Sequence, residues 1–284
     1  MVWKIRTLTL TFDRPLIMGI LNITPDSFYD GGKYFNPDQA VEQAARLIQD
    51  GADILDLGAE STRPGAKPVS EEEELNRLLP VLEKLKGKFQ TPISVDTTKS
   101  QVARHALEAG AHIINDVSGL RNDPALAEAV REFGAGLVLM HRRGTPETMQ
   151  LLTDYKDLME DLIRELSESI ALAESHGVSP DQIVTDPGIG FSKTAEQNLE
   201  ILERLAELGR LGRPVLIGPS RKSFIQSVTK SAPDKRLFGT TAACILAYER
   251  GARIFRVHDV WAIKEALLVT EAIINSNSAK KVLS

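Results

Sequence analysis

The sequence predicts a (β/α)8 barrel, the TIM-barrel class of α/β fold, as one domain over residues 1–284. Three observations carry this. Eight short apolar runs recur along the chain, helix-like stretches separate nearly all of them, and each run ends in a polar residue or glycine that opens a loop. The runs are LIMGILN, ADILDLG, ISVD, HIIND, GLVLMH, IVTD, VLIG and RIFRVH, which end at Asn22, at Asp56 to Gly58, at Asp96, at Asn115 and Asp116, at His141, at Asp186, at Gly218, and at Arg256 to His258. In such a barrel these strand ends form the rim on which ligand binding and chemistry are built.

Each element has its own signal. Residues 2–12 alternate and read as a β-hairpin lying beneath the barrel as a plug. After strand one, residues 24–36 (TPDSFYDGGKYFN) are too long for an ordinary βα turn and read as a lid or binding loop. Helix one covers 37–50 and stops at Gly51. The loop after strand two, AESTRPGAKPVS, is the second long rim loop. Ser70 then caps a helix beginning EEEE, and glutamates at the positive end of a helix dipole account for that run without a metal. Strand three leads to a helix over 100–109, and Asp123-Pro124 opens the helix after strand four. A long amphipathic helix covers 155–176, another covers 196–208, an apolar one lies near 240–248, and the closing helix spans 261–275 before a fraying tail.

Composition narrows the function. The net charge of −5 lacks the basic surface of a nucleic-acid-binding protein. The single cysteine, Cys244, excludes an intramolecular disulfide framework and suits a buried core position. No apolar stretch approaches membrane-spanning length and the first residues lack a signal-peptide layout, so the expectation is a cytoplasmic protein.

Three polar groups end strands three, four and six: Asp96, Asn115 and Asp186. Converging on the barrel axis, they suit a flat, nitrogen-rich ring, because a carboxylate accepts two N–H bonds from an amino-pyrimidine edge. Asp96, followed by TTKS, also suits a helix cap. Asp186, followed by proline and glycines, suits one poorly. Arg63, Lys222, Arg256 and His258 lie at or just after strand ends, with Asn22 beside them, and such a group in one mouth points to an anion. Each base taken alone also suits a surface ion pair. The run GPSRKSFI adds the helix start after strand seven where such barrels hold phosphate. His141 suits a structural hydrogen bond better than a general base. The HExxH, CxxC, GxSxG and Walker patterns are absent, and the GxG at Gly188 and Gly190 lacks a third glycine.

Eight segments together carry a family resemblance: MGILNITPDSF, GAESTRPGA, ISVDTTKS, GAHIINDVSG, LMHRRGTPETMQ, DPGIGF, GPSRKSF and RIFRVHDV. In this order, from Met18 to Val260, they resemble the bacterial dihydropteroate synthases, a family of pterin-binding enzymes. The resemblance implies a transferase of folate biosynthesis and a sulfonamide target. It would join 6-hydroxymethyl-7,8-dihydropterin diphosphate to 4-aminobenzoate, giving 7,8-dihydropteroate and diphosphate with magnesium (Mg2+). Asp96, Asn115, Asp186 and Lys222 resemble the pterin binders, with Val117 and Met140 as apolar walls. Asn22, Arg256 and His258 resemble the diphosphate site, Asn22 also as a magnesium ligand and Arg256 also stacking on the pterin. Thr62, Arg63 and Pro64 belong to the second loop, Phe191 and Ser223 to the aminobenzoate side, and Gly218 to the substrate site. Asp96, Asp186, Lys222, Arg256 and His258 carry the catalysis that the resemblance implies. The diphosphate leaves first, the methylene cation delocalises into the ring, and the loops exclude water. The family's partners are these small molecules, not nucleic acid or membrane, and the resemblance implies a homodimer through the closing helices.

Tyr29, where many relatives have Ser, and Arg142-Arg143, where many have Met-Gln, depart from the usual family pattern and bear on loop closure and mouth charge. Two other readings share the barrel. A pterin-dependent methyltransferase domain is disfavoured by the loop from Asn22 to Phe28, by Lys222 and by the Arg256/His258 pair. A catalytically silent pterin-binding paralogue would have lost loop or anion-site residues, and none is missing.

Overall fold

The protein is described here by a computed structural model covering residues 1–24, 29–30 and 34–282. Most of the first rim loop, and with it the influence of Tyr29 on closure, lies outside the described residues. The hairpin strands are β1 (Val2–Ile5) and β2 (Leu8–Thr11), and a short antiparallel pair, β4 (Tyr29–Asp30) and β5 (Tyr34–Phe35), lies within the first rim loop. The barrel strands are β3 (Leu16–Asn22), β6 (Ile54–Gly58), β7 (Ile93–Asp96), β8 (Ile113–Asp116), β9 (Gly136–Met140), β10 (Ile183–Asp186), β11 (Val215–Ile217) and β12 (Ala252–Val257). They close in the order β10-β11-β12-β3-β6-β7-β8-β9, each pair parallel. The predicted (β/α)8 barrel with its N-terminal hairpin is therefore the observed fold.

The hairpin plugs the barrel floor. Trp3 and Ile5 are fully buried and pack with Leu16, Met18, Ile54, Ile113, Val138, Val184, Leu216 and Ile254. Trp3 Nε1 donates to the Gln182 carbonyl at 2.7 Å, so the indole's polar edge is satisfied. Gly136 is required beneath it, because a Cβ there would stand 2.5 Å from Ile5. The residues between these positions, such as Ile17, Leu55, Leu137 and Phe255, belong to the second core between sheet and helices. The period of two thus sends alternate residues to the barrel axis.

The outer helices are α1 (Pro37–Gln49), α2 (Glu71–Leu85), α3 (Ser100–Glu108), α4 (Leu126–Phe133), α5 (Leu158–Ser175), α6 (Ala195–Glu203), α7 (Ser223–Thr229), α8 (Leu237–Glu249) and α9 (Val260–Val282). Several sequence boundaries change. The predicted 155–176 helix starts only at Leu158, where Asp157 caps the amides of Met159 and Glu160. The 196–208 helix ends at Glu203 and continues as 3-10 turns over Leu205–Leu211, across the glycine of LAELGRL. The closing helix runs on to Val282, past the predicted end at 275. Asp123 does more than open its own helix: one oxygen accepts from Ala125 N and the other from Ser100 N, the first amide of α3. Within the EEEE run, Ser70 caps Glu73 as expected, but Glu74 is fully buried and holds Lys99 at 2.5 Å. Lys99 also meets Glu60 at 2.5 Å, which ties the root of the second rim loop to α2 and β7.

Candidate active site

The site is the next layer up the barrel. Two residues further along seven of the eight strands, the same inward direction presents the site: Asp56 after Ile54, Asp96 after Ser94, Asn115 after Ile113, Met140 after Val138, Asp186 after Val184, Gly218 after Leu216 and Arg256 after Ile254. Parallel register keeps these strand ends level, with Asp96 opposite Asn115 and Asp186 opposite Met140. A cleft opens above them. Asp96, Asn115, Asp186, Lys222 and Arg256 supply its polar lining, and Val117, Met140, Ile189 and Phe191 its apolar walls. Thr62 and Gly218 complete it.

Arg256 crosses the cleft floor, donating from Nε to Asp56 at 2.6 Å and from Nη2 to Asp96 at 3.0 Å. Asn115 Nδ2 donates to the same Asp56 oxygen at 3.3 Å, while the other Asp56 oxygen is buried without a partner. Burial pushes Asp96 up to about 7, against the pull of Arg256. Burial likewise raises Asp186 to about 6, although its Oδ1 accepts from Gly188 N at 2.7 Å and Lys222 faces it. Lys222 is pushed down to about 8 by burial and by the Arg256 charge, and its ammonium lies 4.2 Å from the Phe191 ring centroid. Burial lowers the Arg256 guanidinium, but Asp56 and Asp96 outweigh it and hold the group above its ordinary value.

The remaining predicted residues stand around this cleft rather than in its lining. Asn22 ends β3 across Gly58 from Asp96; a Cβ on that glycine would lie 3.9 Å from Asn22 Oδ1 and 4.0 Å from Asp96 Oδ2. Arg63 and Pro64 are exposed on the second rim loop, whose Gly65 N donates to the Pro146 carbonyl at 2.9 Å. Ser223 is exposed at the first turn of α7. His258 is half-buried, with Nδ1 3.0 Å from Ser220 Oγ. Burial, then the charges of Arg221 and Arg256, push it down to about 4. The sequence grouping of four cations therefore needs correction. At neutral pH His258 is an uncharged hydrogen-bonding group, and Arg256 is already matched by two carboxylates.

The chain matches the family model described as pterin binding enzyme over residues 18–258. The chain belongs to the pterin-binding enzyme family. A dihydropteroate synthase of Synechocystis sp. is 49% identical over 92% of this chain and 90% of its own. The Yersinia pestis dihydropteroate synthase, solved in a sulfonamide drug complex, superposes with a TM-score of 0.91 at 42% identity, covering 97% of this chain and 100% of that one. That of Burkholderia cenocepacia, solved with 7,8-dihydropteroate, superposes at 0.89 with 41% identity over 98% of each chain.

In this pterin-binding enzyme two parts of the site escaped the sequence reading. Asp56 was read only as strand-end punctuation, and the second carboxylate of DILDLG, two positions after an inward Ile54, was the available signal for more. A buried ionic group under the cleft, Lys193, His141 and Glu165, had no signal, because its members are far apart in the chain. Both ring nitrogens of His141 are engaged there and burial pushes it down to about 3, which removes it as a general base. Arg143 joins this group through Glu165, whereas Arg142 is buried with its Nη2 on Asn122 Oδ1 at 3.4 Å and its Nε without a partner. Neither arginine lines the cleft.

The donor set bears on magnesium. Among the described residues no group of three or more His, Cys, Asp or Glu could hold a metal ion. Asn22 offers one hard oxygen beside Asp96, which suits a magnesium ion that keeps waters and takes the rest of its ligands from substrate phosphate.

Proposed function

We propose that this transferase condenses 6-hydroxymethyl-7,8-dihydropterin diphosphate with 4-aminobenzoate, as a single pterin-binding barrel domain over residues 1–284. The observation that carries the reading is the joint presence of Asp96, Asn115, Asp186, Lys222 and Arg256 in one cleft walled by Val117, Met140 and Phe191. Two carboxylates and an amide match the alternating donors and acceptors of an amino-pyrimidine edge, and the apolar walls match its faces. The relatives of known name act under that same description.

In the proposed mechanism the methylene–oxygen bond to diphosphate breaks first, its electron pair leaving with the diphosphate. The arylamine nitrogen then forms the new C–N bond and sheds one proton to solvent. The arylamine is neutral near pH 7, so no base is needed to unmask it, and catalysis is mainly electrostatic. Asp186 and Asp96 favour positive charge in the ring, Asn115 orients it, and Lys222 faces its carbonyl edge. Arg256 and neutral His258, with Asn22, take the leaving diphosphate. Thr62, Arg63 and Pro64 close the second loop over the reacting carbon and exclude water. Phe191 and Ser223 hold the aminobenzoate, and Gly218 lines the substrate cleft. Asn22 would hold a magnesium ion, which when bound offsets the charge of the leaving group.

The working unit is a homodimer in the cytoplasm. Exposed Phe238 and Leu246 on α8, with Trp261, Leu268 and Ile273 on α9, support a second copy as the partner of this face. No described helix is long and apolar enough to cross a membrane.

Purified protein mixed with the pterin diphosphate, aminobenzoate and magnesium should form dihydropteroate. Diphosphate release without that product, or no reaction at all, overturns the reading.

A further inference from the structure

The loop over 187–194, between β10 and α6, forms one side of the cleft through Ile189 and Phe191. Its backbone is strained at one residue, Ser192, which has φ +49 without being glycine. Gly188, at φ +70, must be glycine, because a Cβ there would stand 2.1 Å from the His141 carbonyl oxygen. Such a conformation persists only where its surroundings over-determine it.

Those surroundings converge on one ammonium. Lys193 is 3% exposed. Its Nζ donates to the Phe191 carbonyl at 2.9 Å, to the Gly188 carbonyl at 3.2 Å and to His141 Nδ1 at 3.0 Å. In the protonated group three acceptors thus meet three donors, while burial pushes Lys193 down to about 7. Because His141 Nδ1 accepts, the ring proton sits on Nε2, which donates to Glu165 Oε2 at 3.1 Å. Glu165, buried on α5, also takes Arg121 at 3.0 Å and Arg143 Nε at 3.1 Å. Arg143 closes the circuit, its backbone N donating to Ser192 Oγ at 3.1 Å and its guanidinium lying 3.9 Å from the Tyr155 ring centroid. The Tyr155 hydroxyl donates to the Ser192 carbonyl at 2.9 Å.

We propose that Lys193 is a positioning residue for the reaction: its ammonium pins the Gly188 and Phe191 carbonyls onto His141 and Glu165, and so sets where Asp186 and Phe191 stand in the cleft. Transmission is short. Gly188 N donates to Asp186 Oδ1 at 2.7 Å, and the Phe191 ring carries the Lys222 ammonium. Lys193 touches neither substrate in this scheme, and a displacement of about 1 Å in a site of this kind is enough for a large loss. The inference rests on the reading of the cleft as a pterin site.

The test pairs Lys193→Met, which keeps length and removes the donors, with Lys193→Arg, which keeps charge but substitutes a planar fork for three tetrahedral donors. Two readouts are needed in the full chain: the dissociation constant of a pterin lacking diphosphate, by calorimetry, and amide hydrogen exchange at Gly188, Gly190 and Phe191. Lys193→Met should weaken pterin binding about tenfold to a hundredfold and speed exchange at those amides, with the melting transition still cooperative. Lys193→Arg should move both in the same direction by less, and it decides the matter if the methionine variant does not fold. Wild-type pterin affinity and wild-type exchange in a folded variant overturn the proposal. If the unaltered protein itself binds no pterin, the functional reading falls, while the exchange arm still decides whether Lys193 holds the loop.

Discussion

Arg256 enters the reaction with its charge already matched, by Asp56 at 2.6 Å and Asp96 at 3.0 Å. Removing it leaves Asp56, fully buried and with one oxygen already unpartnered, without a cation. Arg256→Ala should therefore cost stability as well as rate: about 3 kcal/mol in urea unfolding, and about a hundredfold in single-turnover rate. Full stability in the variant would mean that the carboxylates find other partners. Asp186 gives a pH test with a definite sign. Burial raises it to about 6, and only the ionised form accepts two N–H bonds from a ring edge. Through Asp186 alone, pterin affinity should fall about tenfold per pH unit below that value. Asp186→Asn should remove that component and weaken binding by roughly 1.5–3 kcal/mol. Calorimetry between pH 5 and 8 measures both, and an unchanged profile in the variant would assign the titration to another group. Asp56 shows the limit of residue-level reading. Its carboxylate looked like strand punctuation, because its meaning depends on Arg256, two hundred residues away in the chain.

The hairpin is the element whose role was most legible, since alternation in 2–12 and its place before the first strand already indicated a plug. The structure adds the packing partners. Trp3 is fully buried against inward residues of the barrel strands and bonded to Gln182. Trp3→Ala should cost about 3–5 kcal/mol in denaturant unfolding. Turnover at low temperature should stay near wild type, because the cleft lies at the opposite end of the strands. A loss of pterin affinity in the folded variant would show that plug and rim are coupled. Helix ends were less legible. The stop at Glu203 and the start at Leu158 depend on caps and 3-10 turns that compete with an equally helical-looking sequence. The acidic run before Leu75 read as a first turn matched to the helix dipole, yet the position of Glu74 relative to Lys99 buries one of its members. Periodicity cannot distinguish these outcomes when the partner comes from another strand.

For the whole molecule, the surface of α8 and α9 makes the sharpest claim. Trp261 is 62% exposed, Ile273 65% and Phe238 85%, on helices that pack together beside β12 and β3. Apolar side chains this exposed on adjoining helices are covered by the second copy in the proposed dimer. Sedimentation should give twice the chain mass at micromolar concentration, and Trp261→Glu combined with Ile273→Glu should give one chain mass with cooperative unfolding retained. A wild-type monomer would reject the dimer. The net charge of −5 favours solubility of either form and sets no oligomeric state.

The sequence by itself determined the barrel, its plug and most of the rim chemistry, because each rests on local chemistry: period-two strands, strand-to-loop punctuation, and polar residues at strand ends. Asp96, Asn115, Asp186, Lys222 and Arg256 line one cleft for that reason, and Thr62, Val117, Met140 and Phe191, which only the family resemblance had named, line it with them. Tertiary structure alone decided what those groups are once together. It matched Arg256 with two carboxylates, made His258 neutral, raised Asp96 and Asp186 by burial, and put Lys193 under a strained loop. Desolvation and pairing are properties of an environment assembled from distant segments, so no pattern along the chain contains them.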